Sequence, residues 1–325
     1  MKPYKSFLAD VLEDYIAYRY SLGFTNKGLR STLRHFDTFI KEENADWNSF
    51  TPLFFLGFRE ALTQGPSSVN LILSAVRGFF NYLIRRELYD VNPLADLPAR
   101  RENYFIPYVF SRSQAEELLN FSQAIIRKNN KYFLHDLALH TAMVLLVRCG
   151  LRISEPLRLH SRHYRREEKT LYIEKTKFHK DRLIPVPEAV AIAINNYIEL
   201  RSRFIADNQV PFLLVNSNHG PLSSNHMYPL FAQAVKELDL WEPKKTIGRT
   251  TFGAPTPHSL RHSFAVNTLK SIRERGKSPQ QALPILSAYM GHRKYRYTAL
   301  YLKVLEAGAR RALVDFTVAR RREKV

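Results

Sequence analysis

The sequence contains one cysteine, Cys149, among its 325 residues. A single cysteine excludes an internal disulfide framework and thiolate-rich zinc sites. Because Cys149 follows an apolar run, we predict that it is a small core residue. No stretch approaches the ~18 apolar residues of a membrane-spanning helix, and the N-terminal segment turns acidic at Asp10 instead of entering a signal-peptide apolar run. We therefore predict a reducing, cytoplasmic location and no membrane partner.

The chain is also poor in negative charge. It has 30 acidic residues against 49 lysines and arginines, so its formal net charge is +19. The usual partner of such a chain is a polyanion, because each phosphate that Lys or Arg neutralises releases a condensed counterion. An anionic membrane surface would be the other candidate for such a charge, but the lack of a membrane-spanning segment leads us to predict no membrane partner. With 45% hydrophobic and 12% aromatic residues, the chain can build cores, which argues against wholesale disorder.

Several common catalytic signatures are missing. The sequence has no G-x-x-x-x-G-K phosphate loop, no G-x-G-x-x-G fingerprint, no H-E-x-x-H and no G-x-S-x-G. Nucleotide hydrolysis and nicotinamide chemistry therefore lose most of their support. What remains is a spread of Arg, His, Lys and Tyr, residue types that can bind and attack a phosphodiester without a metal ion.

The spacing of apolar residues predicts two domains. Residues 1–97 carry apolar positions at helical intervals and predict several amphipathic helices, the last of which ends at Asn92-Pro93-Leu94. Residues 98–110 predict a basic, extended linker. Residues 111–325 predict a second domain with a C-terminal tail.

The second domain is predicted to be mostly helical, with one small β element. It opens with a capping box from Ser111 to Gln114. An alternating pattern between Thr170 and Pro187 predicts a β-hairpin, and residues 244–257, rich in Thr, Gly and Pro, predict a loop. The predicted fold class is therefore mainly α with a small β-hairpin or sheet (α+β).

Two arginines stand in contexts that suit phosphate binding. Arg152, in the turn G-L-R-I-S-E, follows a glycine at the end of an apolar helix, and its planar fork of donors can hold two phosphate oxygens. The simpler interpretation of this turn is a surface salt bridge between Arg152 and Glu155. Arg261 lies three residues after His258 near the start of a predicted helix. Both side chains therefore project from one face, beside a helix N-terminus that favours an anion.

Three further residues complete the candidate chemistry. His292 follows a glycine, Tyr301 comes nine residues later, and Lys177 lies in the turn of the predicted hairpin. Each has a simpler interpretation when taken alone. A lone tyrosine is usually a core or interface residue in a chain that has 17 of them, and a basic turn is usually solvated.

The order and spacing of these elements resemble the tyrosine recombinase (phage integrase) family. The specific elements are the H-x-x-R box in T-P-H-S-L-R-H-S-F-A and the G-H box with a tyrosine nine residues later. The turn G-L-R-I-S-E and a hairpin ending in R-L-I-P-V-P support them. The resemblance covers essentially the whole chain and implies a C-shaped clamp of a helical, SAM-like core-binding domain and a catalytic domain.

The resemblance assigns a role to each matched position. Tyr301 matches the nucleophile, Arg152 and Arg261 the phosphate-binding arginines, Lys177 the general acid, His258 and His292 the two histidine positions, and Glu155 the acidic residue that supports the first arginine. Two nearby tyrosines, Tyr295 and Tyr297, lack the required spacing. Lys180 is the alternative to Lys177, because the glycines that flank the lysine in many relatives are missing.

What the resemblance implies is a site-specific recombinase or integrase. It would cut and rejoin DNA through a 3′-phosphotyrosyl intermediate, with no metal, ATP or other cofactor. His258 would assist proton transfer from the tyrosine. Its partner would be double-stranded DNA with a specific recombination site, bound by a nucleoid-associated homotetramer that related recombinase subunits could join. Most of the positive charge would grip the DNA backbone, so binding would weaken steeply with salt.

The resemblance also bears on the two ends of the chain. Because core-binding-like helices begin almost at once, we expect the chain to lack the extra N-terminal arm-binding domain of some phage integrases. After Tyr301 comes a tail with apolar positions and a basic end at residues 320–322. This tail would dock on a neighbouring subunit or form an intramolecular terminal helix. The residues of the hairpin and of the G-H box are closer to those of mobile-element recombinases than to those of housekeeping resolvases.

Three alternatives stay open on the sequence alone. A type IB topoisomerase-like enzyme would use the same chemistry but only nick and reseal. A catalytically silent DNA-binding regulator would keep the fold without the reaction, although the presence of every expected polar residue argues against it. A metal-dependent nuclease using His160 and His163 is the weakest option, because we find no paired-carboxylate motif to accompany them.

Overall fold

The computed structural model of the protein describes residues 3–24, 28–174, 181–205, 210–292 and 294–306. In this part of the chain helices predominate and small sheets accompany them, which confirms the mainly α, α+β fold class. The chain divides into two units between Tyr104 and Phe105. None of the helices in the described ranges is long and apolar enough to cross a membrane.

The first unit is built from four helices around an aromatic interior. They are α1 (Ala9–Ser21), α2 (Leu29–Glu42), α3 (Pro52–Ala61) and α4 (Pro66–Arg85). Phe36 of α2, Phe55 and Phe58 of α3 and Phe80 of α4 are fully buried. The ring centroids of Phe36 and Phe58 lie 5.4 Å apart. Rings at such distances contribute beyond the area they bury, so the aromatic residues help to hold α2, α3 and α4 together.

The end of α4 differs from the prediction. The helix ends at Arg85 and not at Asn92-Pro93-Leu94, because Glu87 has a left-handed backbone (φ +57°) that reverses the chain. The segment after it folds back onto the helix. There Arg77 donates hydrogen bonds to the carbonyls of Leu94 and Leu97, each at 3.1 Å. Because these bonds join residues far apart in the sequence, the local sequence does not show where the helix ends.

The second unit is formed by seven helices in the described residues. They are α5 (Arg112–Ala124), α6 (Phe133–Cys149), α7 (Glu188–Phe204), α8 (Ser224–Glu237), α9 (Pro257–Glu274), α10 (Pro279–Met290) and α11 (296–306). The apolar helix α6 lies at the centre and packs against α5, α7 and α9. The capping box at Ser111 and the buried position of Cys149 are confirmed.

Six short strands form two three-stranded sheets in the described ranges. They are β1 (Tyr104–Ile106), β2 (Tyr164–Arg165), β3 (Thr170–Ile173), β4 (Arg182–Pro185), β5 (Lys245–Ile247) and β6 (Thr250–Phe252). The sheet β2-β3-β4 contains the predicted hairpin, in which Leu171 pairs with Ile184 and both side chains are buried. The turn between β3 and β4, with Lys177 and Lys180, lies outside the described residues.

The other sheet, in the order β1-β6-β5, was not predicted. Residues 244–257 are not simply a loop, because they contain the hairpin of β5 and β6. Their strands are three residues long and largely exposed, so they lack the alternation by which a strand is recognised. A hydrogen bond of 2.9 Å from the backbone N–H of Gly253 to the carbonyl of Ile106 joins them to residues far away in sequence.

Gly150 ends α6 and begins the turn that carries Arg152. Its φ of +58° lies in the left-handed region, which a side chain disfavours. A Cβ atom at this position would also overlap the ring of Phe264 in α9. Both backbone geometry and packing therefore require glycine where the apolar helix meets the turn.

We expect Gly150→Ala to lower the free energy of unfolding by about 2–5 kcal/mol. The left-handed backbone accounts for about 1–2 kcal/mol and the overpacking against Phe264 for about 1–3 kcal/mol. The matched control is Gly276→Ala, since Gly276 has a φ of +72° and open space around it, and it should cost the backbone contribution alone. Urea unfolding of both variants checks this, and equal losses would contradict the packing argument.

Candidate active site

The structure brings together the predicted site residues that it describes. Arg152 lies in the turn after α6, Arg261 in the first turns of α9, His292 just after α10, and Tyr301 in α11. The four segments meet on one side of the second unit through the hydrogen bonds described below. Lys177 lies outside the described residues, so its position is not part of this geometry.

Arg261 is almost completely buried, with 2% of its surface exposed. Its guanidinium donates to the carbonyl of Gly150 at 2.7 Å and to the carbonyl of Met290. Burial, and next the nearby charge of Arg152, lower the pKa of Arg261 to about 10. This value is still above neutral pH, so the chain holds a buried positive charge between α6 and α10.

Glu155 fixes Arg152 through two contacts. Its carboxylate accepts a hydrogen bond from the Arg152 backbone N–H at 2.9 Å and one from the Arg152 guanidinium at 2.8 Å. The interpretation of this pair as a surface salt bridge is wrong, because the Glu155 side chain is only 5% exposed. The carboxylate is therefore part of the interior of the site and orients an arginine that keeps one edge accessible.

Arg182 completes the carboxylate's surroundings, and sequence reasoning missed it. Both of its terminal nitrogens donate to Glu155, at 3.0 and 2.8 Å, and the Arg182 side chain is 8% exposed. Burial by itself would raise the pKa of Glu155, but the hydrogen bonds and charge of Arg182 outweigh it, so this pKa is lowered. A signal was present, since Arg182 stands two residues before the buried Ile184 and so shares the inward face of β4.

The C-terminal end of α10 is where the three arginines meet. Arg182 donates to the carbonyl of Tyr289 at 2.8 Å, Arg261 to that of Met290, and Arg152 to that of Gly291 at 2.9 Å. The last carbonyls of a helix lack partners within the helix and carry partial negative charge. Three arginines therefore supply hydrogen bonds to the last carbonyls of α10. These bonds hold the arginines close to His292, the next residue along the chain.

His292 is held by a buried threonine. Its Nδ1 lies 2.8 Å from the hydroxyl of Thr298, which is fully buried. Burial, followed by the charges of Arg261 and Arg152, lowers the pKa of His292 to about 3. The imidazole is therefore neutral at pH 7, and its Nε2 is the nitrogen left for another partner.

Tyr301 lies inside this cluster. It is 3% exposed, and its hydroxyl is 3.1 Å from Nδ1 of His262. Burial raises the pKa of the phenol, while the positive charges of Arg261 and Arg152 act in the opposite direction. Tyr295 and Tyr297 differ from it, since they are 51% and 49% exposed. Of the three tyrosines after the G-H box, Tyr301 is the one that is buried, and the charges of Arg152 and Arg261 act on it.

His262 is the second residue that sequence reasoning missed. It follows Arg261 directly and lies one helical turn after His258, whose exposed ring stands perpendicular to it at a centroid distance of 4.7 Å. Burial, and then the neighbouring His258, Arg261 and His292, lower the pKa of His262 to about 3. The spacing from His258 places both rings on one face of α9, but nothing local indicated that Tyr301 would reach this face.

The histidines of the nuclease alternative lie elsewhere. The rings of His160 and His163 stack at 5.0 Å, and Nδ1 of His163 accepts a hydrogen bond from the backbone N–H of His160. In the described part of the chain, no group of three or more His, Cys, Asp or Glu residues is arranged to hold a metal ion. His160 and His163 therefore give the nuclease alternative no support.

The arrangement suits the binding and attack of a tetrahedral anion. Arg152 and Arg261 supply positive charge that is already oriented, and neutral imidazoles supply hydrogen-bonding nitrogens beside it. A buried phenol, Tyr301, lies next to them. Preorganised donors of this kind stabilise charge that develops on oxygen in a transition state.

Comparisons with known proteins identify the sequence families that this chain matches. A sequence model of the phage integrase family matches residues 109–307, and one of the phage integrase N-terminal SAM-like domain matches residues 23–87. The chain is 30% identical to y4rE of Sinorhizobium fredii, a protein assigned to the integrases/recombinases, over 97% of this chain and 99% of that one.

More distant relatives give the same result. The chain is 26% identical to the tyrosine recombinase XerA of Pyrococcus furiosus, over 92% of this chain and 91% of that one. Its fold is similar to that of a lambda integrase in a dimer bound to a COC′ core site, with a TM-score of 0.64 and 18% identity, over 90% of this chain and 76% of that one. The chain therefore belongs to the phage integrase family of tyrosine recombinases.

Proposed function

We propose that the protein is a site-specific DNA recombinase or integrase that cuts and rejoins DNA through a 3′-phosphotyrosyl intermediate on Tyr301. The observation that carries the proposal is the burial of the Tyr301 hydroxyl beside Arg152 and Arg261, whose charges both act on the phenol. A tyrosine in this setting is placed to attack a phosphate that the arginines hold.

The phosphate would bind between Arg152 and Arg261. Carbonyl groups of the turn after α6 and of the end of α10 already orient both guanidiniums, so little ordering is needed when the anion arrives. Their positive charges would stabilise the charge that grows on the non-bridging oxygens. We propose that no metal ion and no ATP take part, because the guanidiniums supply the charge and the phosphotyrosyl bond stores the energy for rejoining.

His292 and His258 would bind the same phosphate. Because Nδ1 of His292 contacts the Thr298 hydroxyl, Nε2 is the ring nitrogen that remains for the phosphate. As an N–H group, Nε2 can donate a hydrogen bond to a phosphate oxygen. His258 is exposed near the start of α9, at a helix N-terminus that favours an anion. Lys177, between β3 and β4, is the proposed general acid for the leaving 5′-oxygen, with Lys180 as the alternative.

Double-stranded DNA with a specific recombination site is the proposed partner. The lambda integrase of similar fold forms a dimer bound to a COC′ core site, and the net charge of +19 suits a DNA backbone. We propose that a homotetramer assembles on paired sites, in the cytoplasm and with the nucleoid. A topoisomerase-like enzyme would instead reseal the same duplex without exchanging partners.

We expect the wild-type protein to form a covalent adduct with a nicked duplex carrying its recombination site, in EDTA, and Tyr301→Phe to form none. The phenol oxygen is the atom that would bond to phosphorus, so its loss removes the reaction. A denaturing gel detects the adduct, and protected DNA beside the gene's own locus supplies the site.

The matched control for Tyr301 is Tyr295→Phe, which removes an exposed hydroxyl from the same segment and should leave the adduct unchanged. An adduct in Tyr301→Phe would refute the nucleophile. An adduct that EDTA abolishes would refute the metal-free mechanism. If the wild type formed no adduct on any site, the DNA-binding regulator would be favoured. If paired labelled duplexes were cut and resealed without exchanging strands, the topoisomerase-like enzyme would be favoured.

We expect Arg182→Gln to lower the free energy of unfolding by about 3–5 kcal/mol, because it leaves the buried carboxylate of Glu155 without its bidentate partner. The control is Arg166→Gln, which breaks an exposed pair with Glu199 (side chains 56% and 65% exposed) and should cost less than about 1 kcal/mol. Urea unfolding measures both. Similar losses in the two variants would show that the Glu155 cluster does not depend on Arg182.

A further inference from the structure

We propose that His262 is a catalytic residue whose Nδ1 takes the proton of the Tyr301 hydroxyl as the phenol oxygen attacks the phosphate. This inference rests on the proposed function and adds a base to it. The family resemblance assigns assistance with proton transfer from the tyrosine to His258, whereas the contact in the structure is between Nδ1 of His262 and the Tyr301 hydroxyl, at 3.1 Å.

The geometry separates the three histidines of the site. Nδ1 of His262 faces the Tyr301 hydroxyl. Nδ1 of His292 is engaged by Thr298, and the His292 ring centroid is 6.1 Å from that of Tyr301. His258 is exposed, and its ring packs perpendicular to that of His262. A base must lie within hydrogen-bond reach of the proton that it removes, and His262 meets this requirement.

The proposed step balances without any additional reactant. The lone pair on Nδ1 of His262 accepts the proton, the O–H bond of Tyr301 breaks, and the phenol oxygen bonds to phosphorus. The bond from phosphorus to the 5′-oxygen breaks, and that oxygen takes a proton from Lys177, the proposed general acid. Rejoining runs the same steps in reverse, with the His262 imidazolium returning its proton to the phenol oxygen as the phosphotyrosyl bond breaks.

The charges around His262 set its protonation state and link its basicity to bound phosphate. Its low pKa, about 3, keeps the ring neutral at pH 7, so Nδ1 is unprotonated, but it also makes the ring a weak base in the free protein. Apart from burial, the pKa is lowered by His258, Arg261 and His292, and Tyr301 faces the ring from α11. A phosphate on Arg261 would offset that arginine's positive charge, and so would raise the proton affinity of His262 when DNA is in place.

The test is the rate of single-turnover cleavage by His262→Asn on the nicked duplex described above. The Asn side-chain oxygen can stand near the position of Nδ1 and accept the hydrogen bond, but it cannot take the proton. We expect cleavage about 10²- to 10⁴-fold slower than wild type. We also expect the variant's rate to rise with pH more steeply than that of the wild type, because hydroxide in solution must then remove the proton.

A matched control is His140→Asn. Nδ1 of His140 also contacts a hydroxyl, that of Ser122 at 2.9 Å, and His140 lies in α6 outside the site residues. This variant should cleave at the wild-type rate with the wild-type pH profile. A loss of rate in both variants, with parallel loss of thermal stability and an unchanged pH profile, would overturn the proposal in favour of a structural role for His262.

A second substrate distinguishes a defect in the general base from a defect in the general acid. In a duplex with sulfur in place of the 5′-bridging oxygen, the leaving group needs no proton. The defect of Lys177→Ala should then largely disappear, while that of His262→Asn should persist. Relief of the His262→Asn defect by the sulfur substrate, or wild-type cleavage by this variant on both substrates, would overturn the role as base. If the wild type forms no adduct at all, the proposed function itself fails, and the inference fails with it.

Discussion

The end of α10 is the feature on which the rest of the site depends. Its last carbonyls, at Tyr289, Met290 and Gly291, accept hydrogen bonds from Arg182, Arg261 and Arg152. A helix C-terminus has unpaired carbonyls and partial negative charge, so it can hold several cations that would otherwise repel one another. Because those arginines come from β4, α9 and the turn after α6, this one helix end also joins the elements that carry the site.

Burial and the arginines held at this helix end together set the charge states of the site. Glu155 is held ionised by arginines, chiefly Arg182, against the cost of its burial. Burial, followed by nearby charges that include Arg261, keeps His292 and His262 neutral. A cluster of fixed cations with neutral imidazoles around it is ready to receive an anion. Its own carboxylate is fully engaged by arginines and so competes little with a phosphate.

Much of the site could be predicted from the sequence, because the motifs place chemistry at recognisable spacings. Arg261 and His258 share a helix face, and Tyr301 keeps a fixed distance after the G-H box. Arg182 and His262 escaped prediction for a physical reason. Each acts through a partner more than 25 positions away, Glu155 for Arg182 and Tyr301 for His262, and local spacing does not report such contacts.

The sequence by itself determined the helical segments, the predicted hairpin and the types of residue that carry the chemistry, because apolar periodicity and turn residues act over a few positions. Tertiary structure decided what those residues do. It buried Glu155, which a local interpretation would leave as a surface ion pair, it distinguished Tyr301 from Tyr295 by burial, and it paired Tyr301 with His262. Burial and long-range hydrogen bonds exist only once distant segments pack together, and they set the charge and direction of each side chain.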